Sequence, residues 1–570
     1  MSTDQEFEIG NKFSNSVIQL IVFVANYDLR RPFSEPVPSS AKGSSFIIDS
    51  KRGILLTNAH VVENILSVKG LAPKTNNDIK MRLISICREK DLAIVQVFKE
   101  DWQLLTEGKD ASKMELQLED SLHLESMTRV VAVGYPLGQD NIKFTPGYIS
   151  GFETLHNDSS SRGDENCESV SYIQTTAPTN PGNSGGPLIN IKTEKVVGIV
   201  SAGINFAQSV GYAVSTRTLW SCLDQMMQPI LHMTEPPLFA SIETSLIPPG
   251  GYKADLNSNK SSNNSVLRSP KLKLKSKTKD TILPNIVDIA QMGFNYCRAS
   301  EDLMTLYSEN DTKGVYITKV NKDSAFSFLE EGSILSSIIF QTAANEIIIA
   351  NIDNSSKVTC IQYNSNKDDD NLIQKYLKNN SIKSPYIKNV VRKFTIRELI
   401  DIIPINANCH CIYSTNKIIK TINFNFNINK DYIALQERFL HFQPLKFEII
   451  AGLCLTNLCY NHIDIINQNG EKFFKGDLKY DKHVIVTFTF SDTTVNEIRS
   501  IVQGDIIRSI NDEKIETLED VKSAIMINKK KFIKIISESG GILVLNNEKI
   551  RQQDSAVIQA YQVKEYQYLL

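Results

Sequence analysis

The sequence predicts a mainly β chain of several domains, and three observations carry that prediction. At 570 residues the chain is too long for one hydrophobic core, and length alone calls for roughly three or four domains. From about residue 10 to residue 220, short runs rich in β-branched residues alternate with turn residues, without helical patterns between them, as in a sandwich or a pair of barrels. Residues 234–284 then turn to proline, glycine, asparagine, serine and lysine, the composition of a linker.

The first run, VIQLIVFVA at 17–25, falls short of the roughly 20 apolar residues that a membrane-spanning helix needs, and it reads as a buried strand. GSSFIID, GILLTN, KMRLISI, LAIVQV, RVVAVGYP, VSYIQTT, KVVGIVSAG and GYAVS continue the series. STRTLWSCLDQMMQPIL then reads as a helix with Ser215 as its N-cap. Within the linker, RSPKLKLKSKTKD places Arg268, Lys271, Lys273, Lys275, Lys277 and Lys279 in a short stretch. A solvated linker and a nuclear-import or anion-docking signal are its two readings.

Beyond the linker, KGVYITKVNKDSAFSFLEEGSIL (313–335) and HVIVTFTFSDTTVNEIRSIVQGDIIRSINDEKIETLEDVKSAI (483–525) share an order of strand, short helix, glycine turn and strand. They form a divergent repeat. The stretch QYNSNKDDDNLIQKYLKNNS at 362–381 is too polar to pack and reads as solvated loop. The resulting division is 1–233, a linker at 234–284, then 285–430 and 431–570.

Composition narrows the function. With 41% hydrophobic and 22% charged residues and a formal net charge of -2, the chain has no global attraction for nucleic acid or anionic membrane. Nine cysteines, an odd number spread thinly, fit free thiols in a reducing compartment. The polar, acidic start MSTDQEFEIGNKF has neither secretory nor transit-peptide character, so cytoplasm or nucleus is the expected address.

The chemistry centres on NPGNSGGPLIN at 180–190, which surrounds Ser184 with glycine, asparagine and proline. The match to G-x-S-x-G raises a nucleophile elbow, which needs a following helix and the order Ser, acid, His. Here Pro187 and a strand-like run follow instead, and the well-placed His and Asp come earlier. The order His, Asp, Ser fits a triad on a two-barrel β fold. LLTNAHVVEN supplies His60 at the end of a β-run, and EKDLAIVQV supplies Asp91, whose carboxylate can accept the hydrogen bond of His60 Nδ1–H and hold the ring in the productive tautomer. A turn through Gly182, Asn183 and Ser184 offers backbone N–H groups for an oxyanion hole, and Gly185 and Gly186 are read as leaving room for substrate. Neither TTAPTN nor SAGINF holds an acidic residue. With Ser201, Ala202, Gly203 and Ile204 as pocket lining, cleavage after small or medium aliphatic residues is expected.

TNAHVV, DLAIV and NPGNSGGPL, in that order, resemble the HtrA/Deg family of serine proteases, and GSSFIID, VAVGYPLG, GIVSAG and GYAVS extend the likeness over 43–220. The resemblance implies a chymotrypsin-like (trypsin-like) two-barrel protease domain, with His60 as general base, Asp91 as its orienter, Ser184 as nucleophile and the Gly182 and Ser184 amides as oxyanion hole. Downstream, MGFNY (Met292, Gly293, Phe294, Asn295) resembles the carboxylate-binding loop of a PDZ domain, and FEIIAGLCLTNL with QGDIIRSINDEKI resembles a second one. Protease followed by two PDZ-like α+β domains is the plant-type Deg layout. It implies ATP-independent cleavage of unfolded or damaged protein, capture of peptide C-termini, homotrimers or hexamers, no organic cofactor and no metal. The loop 154–169 is expected to sense activating contacts. The rival class is a proteolytically weak PDZ scaffold or holdase. Cys409-His410-Cys411 lacks a second ligand pair and reads as a strand with two buried thiols rather than a metal site.

Overall fold

The computed structural model describes residues 10, 13–73, 77–106, 110–119, 121, 124–156, 169–203, 210–231, 284–287, 292–307, 313–341, 346–364, 390–429, 435–466, 472–474, 476–526 and 531–563. Most of the linker, the centre of the 154–169 loop and most of the polar stretch 362–381 lie outside these residues.

The first six strands are β1 (Val17–Asn26), β2 (Val37–Asp49), β3 (Ile54–Thr57), β4 (Ile65–Leu71), β5 (Asp78–Cys87) and β6 (Leu92–Val97). They pair in the order β5-β4-β1-β2-β3-β6, and β5 also pairs with β6, which closes the barrel. The apolar run at 17–25 is thus a barrel strand, and β6 (LAIVQV) is buried along its whole length, as a strand with no solvent face must be. The second barrel is β7 (Arg129–Gly134), β8 (Lys143–His156), β9 (Ser169–Thr175), β10 (Pro187–Asn190), β11 (Lys195–Gly203) and β12 (Gly211–Ser215), closed in the order β10-β11-β12-β9-β8-β7.

One hydrophobic core joins the barrels. Phe46, Ile54 and Leu92 of the first pack with Val131, Ile189 and Val214 of the second and with Leu219, Cys222 and Met226 of the helix Thr216–Leu231. Ser215 caps that helix, accepting a 3.0 Å hydrogen bond from the Thr218 amide. A short β13 (Asn285–Ile286) then pairs in parallel with β5. Residues assigned by composition to the start of the middle domain therefore complete the protease sheet.

The middle module contains β14 (Phe294–Arg298), β15 (Val315–Val320), β16 (Ile334–Gln341), β17 (Glu346–Ile352), β18 (Lys357–Asn364), β19 (Val390–Thr395), β20 (Asn408–Thr415) and β21 (Ile418–Asn425). The stretch between 340 and 400, foreign to an ordinary PDZ pattern, contributes β17, β18 and β19 to one antiparallel sheet. Its Ile348, Ala350, Ile352, Val358 and Cys360 enter the core, so the apolar parts of the insertion pack. Helix Ile396–Ile402 follows, fixed by a capping box between Thr395 and Glu398. In β20, Cys409 and Cys411 are buried, and burial pushes the Cys409 thiol up to about 12.

The last module has β22 (Phe447–Ile450), β23 (Leu453–Asn457), β24 (Val484–Thr489), β25 (Ile506–Ile510), β26 (Glu513–Lys514), β27 (Phe532–Ser537) and β28 (Ile542–Asn546), with helices Thr494–Ile498, Leu518–Met526 and Asn547–Ala560. The two copies of the repeat correspond to β15–β16 and β24–β25, although turns replace the short helix in the first copy. No helix among the described residues is long and apolar enough to cross a membrane.

Both later modules touch the barrels. Phe33, in the β1–β2 connection, sits among Phe447, Phe488, Phe490 and Tyr561 of the last module. Asp401, on helix Ile396–Ile402, pairs with Lys90 of the first barrel.

Candidate active site

Strand β3 ends at Thr57, and Asn58-Ala59-His60 turns away from the barrel while Val61 and Val62 return to its core. The anchored valines leave the His60 side chain 46% exposed at the rim. Asp91 ends the tight turn between β5 and β6. Its amide donates to the Arg88 carbonyl at 2.9 Å, and its φ of 52° is a left-handed conformation that a non-glycine residue holds only when the surroundings impose it.

The two residues meet closely. His60 Nδ1 lies 2.9 and 3.0 Å from the Asp91 carboxylate oxygens, and the His60 amide donates to Oδ1 at 3.1 Å. A carboxylate only accepts, so Nδ1 carries the proton and Nε2 is the free basic nitrogen. Burial disfavours the imidazolium, but the charge and hydrogen bond of Asp91, with a smaller push from Glu63, outweigh it and raise the pKa above 6.5.

Two further residues complete the environment of Asp91, and neither stood out as such in the sequence. Ser201 Oγ donates to Asp91 Oδ2 at 2.5 Å, and Asn58 Nδ2 donates to the Asp91 carbonyl at 2.9 Å. Tyr172 is buried beside them, and burial followed by the Asp91 charge drives its phenol pKa up. Only an alternating strand pattern could have placed Tyr172 inward, and nothing in it points to Asp91.

Ser184 is held by both barrels. Its carbonyl accepts from the Ser44 amide at 2.8 Å, Ser44 Oγ donates to the Gly182 carbonyl at 2.7 Å, and the Gly185 amide donates to Val200 at 2.8 Å. The Ser184 hydroxyl donates to the Ser201 carbonyl at 2.6 Å, so the residue that bonds Asp91 through its side chain also bonds the serine through its backbone.

Three sequence expectations change here. Gly185 and Gly186 do not make room for substrate: a Cβ at Gly185 would lie 2.1 Å from the Ser44 carbonyl oxygen, and one at Gly186 would lie 2.2 Å from that of Val133. They let the barrels approach the turn. The Asn183 amide donates back to the Asn180 carbonyl at 3.0 Å, which removes it from an oxyanion hole, whereas the Gly182 and Ser184 amides donate to no described residue. The Gly182 φ of 101° allows this arrangement. Lastly, Ser201 turns its hydroxyl to Asp91 rather than to a substrate pocket. Ala202 and Gly203 end β11, and Ile204 lies outside the described residues.

The PDZ-type loops differ from one another. In the middle module, Gly293 (φ 58°) precedes β14, and Ser324 Oγ donates to the Met292 carbonyl at 2.9 Å, which positions Met292, Gly293, Phe294 and Asn295 at the start of an edge strand. In the last module, Ala451 and Gly452 (φ 55° and 77°) aim successive amides at the Asp554 carboxylate, at 2.9 and 2.8 Å. That loop is filled by the chain's own side chain. Among the described residues no cluster of three metal-ligating side chains occurs.

Comparison with known proteins adds family context. Residues 43–199 match the trypsin-like peptidase domain family, and residues 441–567 match a PDZ domain family. The chain is 34% identical over 242 residues to HhoB of Synechocystis, covering 40% of this chain and 54% of that protein. It is 31% identical over 208 residues to the mitochondrial protease Do-like 4 of Arabidopsis thaliana, covering 35% of each chain. To the serine protease Do-like HtrA of Bacillus subtilis it is 31% identical over 193 residues, covering 33% of this chain and 40% of that one. The chain thus spans about half or less of the length of these relatives. A solved HtrA-type protease with a tripeptide covers 61% of this chain and 92% of its own at 18% identity, with a TM-score of 0.35.

Proposed function

Since the chain belongs to the HtrA/Deg family of serine proteases, we propose that it is an endopeptidase that cuts unfolded or damaged protein through His60, Asp91 and Ser184. The observation that carries this reading is the pair of Asp91 hydrogen bonds to His60 Nδ1, which leaves Nε2 as the unprotonated, basic nitrogen. Ser184 Oγ, parked on the Ser201 carbonyl, rotates to His60 as substrate enters. His60 then takes the hydroxyl proton as Oγ attacks the scissile carbonyl, Asp91 stabilises the imidazolium, and His60 returns the proton to the leaving amine. The negative oxygen of the tetrahedral intermediate is met by the Gly182 and Ser184 amides, worth roughly 3–4 kcal/mol per donor in such sites.

These steps need no nucleotide, so the reaction runs without ATP. Trimers formed through the protease domains, alone or paired into hexamers, would admit only unfolded chains. Light scattering distinguishes these states from a monomer. The decisive experiment incubates the purified chain and its Ser184→Ala form with fluorescein-labelled casein, without ATP. Fragments are expected from the first only, and equal cleavage by both would refute the assignment.

A further inference from the structure

We infer that Arg88 and Lys90 are positioning residues through which the C-terminal half of the chain sets the geometry of Asp91. The inference rests on the triad reading above, and its observations lie in the turn between β5 and β6.

That turn presents charges on both sides of the site. Lys90, next in sequence to Asp91, is buried and donates both to the Asp401 carboxylate and, at 3.1 Å, to the Asp401 carbonyl. The other Asp401 oxygen accepts a 2.8 Å hydrogen bond from Thr218 Oγ1. One carboxylate of the middle module therefore ties the Asp91 turn to the helix that follows the second barrel. At the opposite end of the turn, Arg88 Nη2 lies 2.7 Å from Glu63 and 2.5 Å from Glu437, with its guanidinium 5.7 Å from the Phe439 ring centre. Glu63 belongs to the segment that carries His60 and adds to its raised pKa. Glu437 and Phe439 precede β22, the first strand of the last module, and Phe439 is buried in the core of the first barrel.

The turn held by these anchors ends in the left-handed Asp91, a conformation maintained by its surroundings. A buried ammonium has few alternatives to its partner, so Lys90 stays where Asp401 stays. Arg88 couples the same turn to the His60 segment through Glu63. Asp401 and Glu437, both downstream of the linker, thus hold the ends of the turn that presents the triad carboxylate, and neither touches the reacting atoms.

The test uses the full-length chain and two variants, Asp401→Asn and Glu437→Gln, which remove a charge at nearly constant size. The His60 titration is followed by NMR on histidine-labelled protein, with His60→Gln identifying the signal. The rate at which a fluorophosphonate probe labels Ser184 is measured over the same pH range. The expected result is a His60 midpoint lowered by about half a unit or more as the Asp91 carboxylate loses alignment, and a limiting labelling rate lowered about tenfold. If Asp401→Asn does not fold, the more exposed Glu437→Gln decides. An unchanged midpoint and limiting rate, with only a lower melting temperature, would overturn the inference. Failure of the wild-type chain to react at Ser184 would instead refute the protease reading, and the NMR titration would still judge the positioning role.

Discussion

Asp554 Oδ1 accepts a 2.8 Å hydrogen bond from the Gly452 amide, so the loop that captures a peptide terminus in PDZ domains holds an internal carboxylate in the last module. Asp554 is fully buried. Burial pushes its pKa from 3.8 up to about 6, against the opposite pull of the Gly452 and Ala451 amides. Between those values the folded chain binds a proton that the unfolded chain does not. The contribution of this group to stability is therefore complete below pH 3.8 and lost as pH rises through 6, up to about 3 kcal/mol. Hydrogen exchange across β22 and β23, corrected for intrinsic rates, should show more protection at pH 5 than at pH 7.5 in the wild type and a flatter profile in Asp554→Ala. An identical pH dependence in both would count against it.

The same contact closes the loop to ligands. Asp554→Ala leaves two converging amides unpaired, and these should take up a labelled hexapeptide with a free C-terminal carboxylate that the wild-type module does not bind there. The amidated peptide is the control. Anisotropy titrations, with chemical-shift mapping to Ala451 and Gly452, read the outcome, and equal binding by wild type and variant would disprove the closure.

The barrels and the pairing of His60 with Asp91 were legible because they depend on local signals: alternating apolar residues, and a histidine and an aspartate at strand ends beside a glycine-bound serine. The partners of those residues were not. Ser201 was assigned to the pocket because a small side chain beside the nucleophile fits one, but the direction of a strand-end hydroxyl is fixed by the neighbouring barrel. Lys90 and Asp401 lie 311 positions apart, and no local pattern links them. The glycines of the active turn were legible as a contortion, while the Ser44 and Val133 carbonyls that require them come from distant strands.

The raised pKa of His60 sets a pH profile. In the proposed mechanism His60 acts as general base in its neutral form, so kcat/KM should rise with pH and reach half its plateau above the ordinary 6.5. Ser201→Ala removes the 2.5 Å hydrogen bond to Asp91 and keeps the backbone carbonyl, so it should lower kcat about tenfold with little change in KM. Steady-state kinetics from pH 5 to 9 test both, and a half-point below 6.5 would contradict the geometry at His60 Nδ1.

Gly185→Ala tests the revised role of that glycine. Its φ of 85° strains any side chain, and the added carbon would meet the Ser44 carbonyl oxygen at 2.1 Å and Thr57 Oγ1 at 2.2 Å. The two barrels must part to accept it, at a cost of about 3 kcal/mol or more. Calorimetry should show a melting temperature lower by several degrees. A substrate-space role predicts the reverse pattern, with stability unchanged and only KM raised.

Phe33 reports on how the last module is attached. Its ring stacks on Phe490 at 5.1 Å and meets Phe488, Phe447 and Tyr561 edge-on at 5.7, 6.2 and 6.1 Å, while the Arg31 guanidinium lies 5.1 Å from the Phe488 ring centre. Truncating a packed phenylalanine costs about 3–5 kcal/mol inside a core. Here the ring crosses from the first barrel to another module, each with its own core, so the loss falls on their docking rather than on either fold. Phe33→Ala should therefore increase the radius of gyration in small-angle scattering and raise hydrogen exchange around Phe447 and Phe488, with fluorophosphonate labelling of Ser184 preserved. Phe33→Tyr, which keeps the ring, should restore the compact form. Unchanged scattering and exchange in the alanine variant would show that other contacts hold the module in place.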